Sequence, residues 1–191
     1  MFTDIVGYTA LSQQNEKAAL EMLQAHNNLI RPILERFRGR EVKTIGDSFL
    51  VEFDSALEAT ECAAEIQKEL AAHNKDDASP GRIHIRIGVH VGDVVHQGGD
   101  VFGDAVNIAS RVQPLADPDG ICISEQVYAQ VSNKLPFRFV QMPAQALKNV
   151  KFAVNVYKVI PDTGQELAQS AALPPRTRVA VLPFTNISHD Q

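Results

Sequence analysis

Two kinds of hydrophobic pattern take turns along this chain, short alternating runs and longer runs with helical spacing. Phe2 to Val6 is a short apolar run closed by Gly7. It predicts a strand with almost no lead-in, where a central strand usually has ~5–6 residues, so a first strand clipped at its N-terminus is expected. From Asn15 to Arg38 the residues Ala19, Leu20, Leu23, Leu29, Ile30, Ile33, Leu34 and Phe37 recur helically. Pro32 interrupts this run and predicts a kink or two abutting helices, with Gly39 as the C-cap. Glu41 to Phe53 predicts a hairpin. Phe49, Val51 and Phe53 alternate with Ser48, Leu50 and Glu52 after a Gly46-Asp47 turn. Ser55 is placed to cap an Ala-rich helix reaching about Asn74, and Asn74 to Gly81 reads as a loop.

Ile83, Ile85, Ile87 and Val89 then alternate with His84, Arg86 and Gly88, which predicts a strand. A helix is expected over Val101 to Val112, a buried strand over Gly120 to Ser124 and a short helix over Glu125 to Val131. Two more strands are expected over Phe137 to Val140 and Phe152 to Ile160. The order β-α-β-β-α-β, with further helix and strands, predicts an α+β fold. It is a ferredoxin-like or palm-like split βαβ sheet with helices on one face and extra C-terminal strands. In that topology the first and third strands are antiparallel neighbours, which brings Asp4 and Asp47 to one edge of the sheet. The domain is expected to span 1–160. Residues 161–176 read as linker in composition, and the strand-like Thr177 to Phe184 reads as the start of a second domain, 177–191, that this chain does not complete.

Composition narrows the function classes. Hydrophobic residues make up 45% of the 191 positions, enough for a real core. Lys and Arg number 18 against 23 Asp and Glu, a net charge of −5. That balance argues against a protein whose main task is to coat nucleic acid or an anionic membrane, but it permits one nucleotide held by a local cationic site. No run of 18 apolar residues predicts a membrane span, and the first residues do not form a signal peptide. Cys62 and Cys122 sit in apolar patterns without metal-like spacing. They read as buried free thiols in a reducing compartment, the cytoplasm.

Two constellations carry chemistry. Asp4 and Asp47, brought together by topology, can hold two hard divalent cations such as Mg²⁺ that keep open positions for phosphate oxygens. Asn107 and Arg111 stand i, i+4 on one helix face, an amide and a guanidinium suited to gripping sugar and phosphate. Each has a plainer reading: a turn residue for Asp47, a strand-end acid for Asp4, a solvated face for the Asn-Arg pair. His84, His90 and His96 recur at spacings of six and would share a face if the strand stayed extended; a structural role is favoured over a metal site. His26 and His73 read as helix-surface residues, and Tyr8 and Phe102 as packing residues near the site.

Taken together, "FTDIVGYT", "KTIGDSF", "GVHVGDV" and "GDVFGDAVNIASR" resemble, in order, the motifs of the class III nucleotidyl cyclases, the catalytic domain of adenylate and guanylate cyclases. The resemblance runs from Phe2 to about Ile160. The C-terminal "RVAVLPF" resembles the beginning of a domain that often follows such cyclases in multidomain bacterial proteins. By this resemblance Asp4, Asp47 and the carbonyl of Ile5 bind two Mg²⁺ or Mn²⁺ ions per site. Lys43 and Asp100 select the base, Asn107 orients the ribose and Arg111 stabilises the transition state. Lys148 binds the triphosphate, with Lys151 as the alternative. The resemblance also implies a homodimer with two composite sites, one subunit giving the aspartates and the other the Asn and Arg. Lysine has only donors and an ionised aspartate only acceptors, which matches adenine and not guanine. The expected reaction is conversion of ATP to 3′,5′-cyclic AMP and pyrophosphate. A guanylate cyclase, a catalytically silent nucleotide-binding module and a polymerase-like or diguanylate cyclase palm are the competing readings.

Overall fold

The structure, a computed structural model, describes residues 1–76, 81–143 and 154–161. The elements run β1 (Phe2–Ile5), α1 (Tyr8–Gln14), α2 (Glu16–Arg36), β2 (Arg40–Ile45), β3 (Ser48–Glu52), α3 (Ala56–His73), β4 (Ile85–Val89), β5 (Val95–Gln97) and β6 (Asp100–Phe102). They continue with α4 (Asp104–Val112), a 3-10 turn at Gln113–Leu115, β7 (Ile121–Ser124), α5 (Glu125–Val131), β8 (Phe137–Gln141) and β9 (Val156–Pro161). Seven strands form one sheet in the order β2-β3-β1-β4-β7-β9-β8. Its first four strands have the arrangement of a ferredoxin-like βαββαβ unit, with β1 antiparallel to both β3 and β4. β5 and β6 form a separate two-stranded ribbon.

Alternation along the strands supplies two apolar faces. Phe49, Val51, Ile85, Ile87, Val89, Ile121 and Ile123 pack in one cluster with Ile30, Ile33 and Leu34 of α2, Cys62, Ile66 and Leu70 of α3, and Val127 and Val131 of α5. The opposite face carries α4. Its Ala109 packs with Phe2 and Leu50, and its Ile108 and Val112 pack with Cys122, Val154 and Val156. The helices therefore do not share one face, because Phe2, Leu50 and Cys122 need apolar cover on the other side. Full burial of a Val or Ile side chain is worth about 1.5–3 kcal/mol, which is what holds the nine-residue α4 in place. Gly88 lets it come close: a Cβ there would stand 2.4 Å from the backbone nitrogen of Gln113, just past the helix.

Several local expectations change. The first helical stretch breaks at Asn15, not at Pro32. Asn15 is extended and its side chain accepts from the Ala18 N–H at 3.1 Å, capping α2. Pro32 lies exposed inside α2, flanked by buried Ile30, Ile33 and Leu34, whose packing holds the helix together through it. The α2 C-terminus is closed by Arg38 in the left-handed region (φ 58), with Gly39 N–H bonded to Leu34 O and Arg38 N–H to Glu35 O. Gly39 is needed for another reason: a Cβ there would meet the Phe53 ring at 2.7 Å. Ser55 does cap α3, accepting from Leu57 N–H at 3.2 Å. The expected helix from Val101 starts at Asp104, since residues 100–102 pair with β5. β4 begins at Ile85, where Ile83 was expected; the Asn74 side chain instead brackets Ile83, bonding both its N–H and its C=O. His26 is not on the surface but fully buried, stacked on Phe49 at 5.3 Å. The start of the last expected strand (152–153), the linker beyond Pro161 and the expected second domain lie outside the described residues.

Candidate functional site

The Gly46-Asp47 turn joins β2 to β3 with Ile45 paired to Ser48 and Gly46 at φ 64. This two-residue turn aims Asp47 back at the end of β1, where its Oδ2 accepts the Ile5 N–H at 2.9 Å. Asp4 lies on the same strand face as Phe2, toward α4, and its Oδ1 accepts from Ser48 Oγ at 2.8 Å. The two carboxyls are neighbours. Burial first, and then the Asp4 charge, push the Asp47 carboxyl above the ordinary carboxylate range, against the opposing pull of the Ile5 hydrogen bond. A divalent cation between them would relieve that repulsion. Among the described residues no group of three or more His, Cys, Asp or Glu side chains converges. Two carboxylates and a nearby backbone carbonyl fit a hard cation that retains open positions, rather than a closed transition-metal cage.

The register adds a residue that sequence reasoning missed. Arg86 on β4 stands directly opposite Asp4, so their side chains leave the sheet on one face, with Cβ atoms about 4.5–5.5 Å apart. Its Nε is buried and has no hydrogen-bond partner among the described residues. A guanidinium with an unfilled donor beside two neighbouring carboxylates is placed to meet an anionic oxygen such as that of a phosphate. The only signal in the sequence was an Arg inside an apolar alternation, which reads as an ordinary polar-face residue until the strand register is known.

Lys43 and Asp100, 57 positions apart, meet: Lys43 Nζ donates to Asp100 Oδ2 at 2.5 Å. Asp100 Oδ1 also accepts the Val101 N–H at 2.7 Å. The Lys43 hydrogen bond foremost holds the Asp100 carboxyl below the usual range, so it is an acceptor throughout the neutral pH region. Lys43 lies opposite Leu50 across the hairpin, hence on the α4 face of the sheet. Phe102, expected to be a packing residue, is half exposed, and Lys43 Nζ lies 5.9 Å from its ring centre. Tyr8 does pack against the core, partly buried.

Asn107 and Arg111 lie on α4 as the i, i+4 spacing requires. The buried residues Ile108, Ala109 and Val112 turn toward the sheet. At 100° per residue Asn107 falls on the opposite side of the helix and Arg111 well away from its packed side. Among the described residues, neither side chain has a hydrogen-bond or ion-pair partner. The structure thus brings Asp4, Ile5, Asp47 and Arg86 together, and Lys43 and Asp100 together. It turns Asn107 and Arg111 outward, away from the sheet of their own chain. Lys148 and Lys151 lie outside the described residues.

The three regularly spaced histidines part company where β4 ends at Val89. His84 contacts Asp119 at 2.7 Å, His90 contacts Ser124 Oγ at 2.8 Å and His96 contacts Glu52 at 2.8 Å. They do not share a face. Both cysteines are buried and free, and burial pushes each thiol up to about 12. Among the described residues no helix is long and apolar enough to cross a membrane.

Residues 1–160 match the family model for the adenylate and guanylate cyclase catalytic domain. A Rhizobium meliloti (strain 1021) protein named "Putative adenylate cyclase 3" is 38% identical over 98% of this chain, which spans 33% of that relative's length. A crystal structure of an adenylate/guanylate cyclase/hydrolase from Silicibacter pomeroyi superposes with a TM-score of 0.77 at 35% identity, covering 84% of this chain and 94% of the other. The guanylate cyclase domain of a Catenaria anguillulae protein, solved with GTP, gives a TM-score of 0.70 at 25% identity, covering 84% and 93%.

Proposed function

The chain belongs to the adenylate and guanylate cyclase catalytic domain family, and from that premise we propose that it is an adenylate cyclase, converting ATP to 3′,5′-cyclic AMP and pyrophosphate. The observation that carries the choice of base is the Lys43–Asp100 pair. Adenine presents an acceptor at N1 and a donor at its 6-amino group. Lys43 supplies only donors and an ionised Asp100 only acceptors. Guanine reverses both groups and would set its N1–H donor and O6 acceptor against like groups of the pair, a mismatch that discriminates strongly in a closed site. The overall fold does not make this choice, since a relative of the same fold was solved with GTP.

The remaining residues take roles that follow from their places. Asp4, Asp47 and the Ile5 carbonyl would hold two Mg²⁺ or Mn²⁺ ions. When bound, these ions activate the ribose 3′-hydroxyl for attack on the α-phosphate and neutralise charge on the departing pyrophosphate. Arg86 reaches a phosphate oxygen from the β4 side. Asn107 orients the ribose, and Arg111 stabilises charge on the transferring phosphoryl group. Lys148, or Lys151, grips the triphosphate. Asn107 and Arg111 face outward, so they serve the aspartates of a second copy, and a symmetric homodimer with two composite sites is the natural assembly. Two free buried thiols suit the cytoplasm.

The test is cyclic nucleotide production from ATP and from GTP, with Mg²⁺ or Mn²⁺, by the protein and by its Asp47→Asn and Arg111→Ala variants. Cyclic AMP from the parent and none from either variant supports the proposal. Cyclic GMP as the main product, or a nucleotide-binding dimer that makes neither, contradicts it.

A further inference from the structure

The β5–β6 ribbon is an unusual carrier for a base-recognising residue. Each of its strands has three residues, the turn between them is Gly98-Gly99 with both φ positive, and it makes no ladder with the main sheet. A two-stranded ribbon alone is marginally stable, so beyond the chain connection through Gly103 to α4, Asp100 depends on side chains that fasten the ribbon to the body. Val101 is one fastening, 4% exposed. The Lys43–Asp100 pair is the second. The third is His96, the cross-strand partner of Val101 and therefore on the same ribbon face, whose Nε2 meets Glu52 Oε1 at 2.8 Å.

The second fastening is the one that substrate disturbs. Lys43 and Asp100 meet through one hydrogen bond of 2.5 Å. A purine that takes hydrogen bonds from both draws on the same donor and acceptor and competes with that contact. This polar anchor of the ribbon then weakens at the moment Asp100 has to be held still. Glu52 does not depend on the base. It lies on β3 two residues beyond Leu50, on the same face, and is itself gripped by Arg40, whose Nε donates to its Oε2 at 2.9 Å. An acceptor braced in this way gives His96 a fixed point on the sheet.

We propose that His96 is a positioning residue for base recognition: by its contact with Glu52 it holds the β5–β6 ribbon, and with it Asp100, in place when the purine competes for the Lys43–Asp100 contact. This rests on the reading of Lys43 and Asp100 as the base-selecting pair. His96 touches no substrate atom in this account. Its loss slackens the grip on adenine and lets guanine be tolerated, while the phosphate end of the site, built on β1, β3, β4 and α4, is untouched.

The experiment compares the intact protein with His96→Ala, His96→Gln, Glu52→Gln and Asp100→Ala. The measurements are KM and kcat with ATP and GTP, titration of ATP and GTP binding, and thermal melting. His96→Ala is expected to raise KM for ATP roughly three- to tenfold, the range of one partly exposed hydrogen-bonded pair, with kcat nearly unchanged. The ATP-over-GTP preference falls by the same factor, in binding as in turnover. His96→Gln, which keeps an N–H donor, recovers most of the loss; Glu52→Gln, which keeps the side-chain shape, repeats part of it. The latch is wrong if Asp100→Ala relaxes the base preference and His96→Ala does not. It is also wrong if His96→Ala lowers kcat for both nucleotides together with the melting temperature and His96→Gln restores nothing. If Asp100→Ala itself leaves the preference unchanged, the base-selecting reading fails and the latch fails with it.

Discussion

Replacing Gly88 by alanine should displace the helix that carries Asn107 and Arg111 from its sheet without touching a residue named in the site. Gly88 sits in β4 on the face that carries α4, between Ile87 and Val89 of the main core. A Cβ at this position would lie 2.4 Å from Gln113 N and 2.5 Å from Gln113 Cα, both backbone atoms, where ordinary contact begins at 3.4 Å. The neighbour cannot rotate away as a side chain can. The end of α4 must retreat by about 1 Å, or β4 must shift in the sheet. Overpacking of this kind costs about 1–3 kcal/mol. For a domain of this size that is a melting temperature lower by roughly 2–12 °C. Asn107 and Arg111 ride on the displaced helix, and a misplacement of about 1 Å can lower catalysis by ~10²-fold. Steady-state cyclase assays and thermal melts of Gly88→Ala read both quantities. The expected pattern is a loss of kcat/KM of about 10–100-fold while the protein remains folded. Wild-type melting and wild-type kcat/KM in Gly88→Ala would refute the packing argument, because retreat of α4 and a shift of β4 both disturb packed backbone.

Two further outcomes follow. Lys43→Glu exchanges a donor for an acceptor opposite the base, so ATP use should fall and GTP use rise relative to it in competition assays; an unchanged ratio would remove Lys43 from base selection. His26 is fully buried, and burial pushes it down to about 4 from 6.5. The unfolded chain therefore binds a proton below pH 6.5 that the folded one refuses, and stability present above pH 6.5 is lost as pH falls toward 4. About 2 kcal/mol of this is gone by pH 5. Urea unfolding at pH 8 and pH 5 should show that difference in the parent and a flatter pH dependence in His26→Leu; equal slopes would place the acid sensitivity elsewhere.

The parts of the fold visible in the sequence are those with a periodic apolar signal. The β2–β3 hairpin, α2, α3 and β4 each alternate or recur as their packing demands, and the βαββαβ order alone puts Asp4 beside Asp47. α1 carried no such signal. It has no buried residue, and it begins after Gly7 in the left-handed region without a side-chain cap. The β5–β6 ribbon is too short for any period, so its residues read as a turn and an early start to α4. His26 looked like a surface residue because one polar side chain on an amphipathic helix does not reveal that Phe49 lies beneath it. Among the candidate site residues, Asp4, Asp47, Lys43, Asp100, Asn107 and Arg111 stood out by their motifs. Arg86 and the His96–Glu52 contact were not, since each depends on strand register or on where a ribbon lands.

In the proposed dimer one chain gives the aspartates and its partner the Asn and Arg. The most direct test mixes Asp47→Asn and Arg111→Ala proteins, each inactive alone, after co-refolding or co-expression. Half of the dimers formed at random would be mixed, and each would hold one intact composite site and one doubly defective site. Cyclic AMP production should then return to about a quarter of the parent level. Two dead variants that remain dead together, while dimerising and binding ATP, would contradict a shared site.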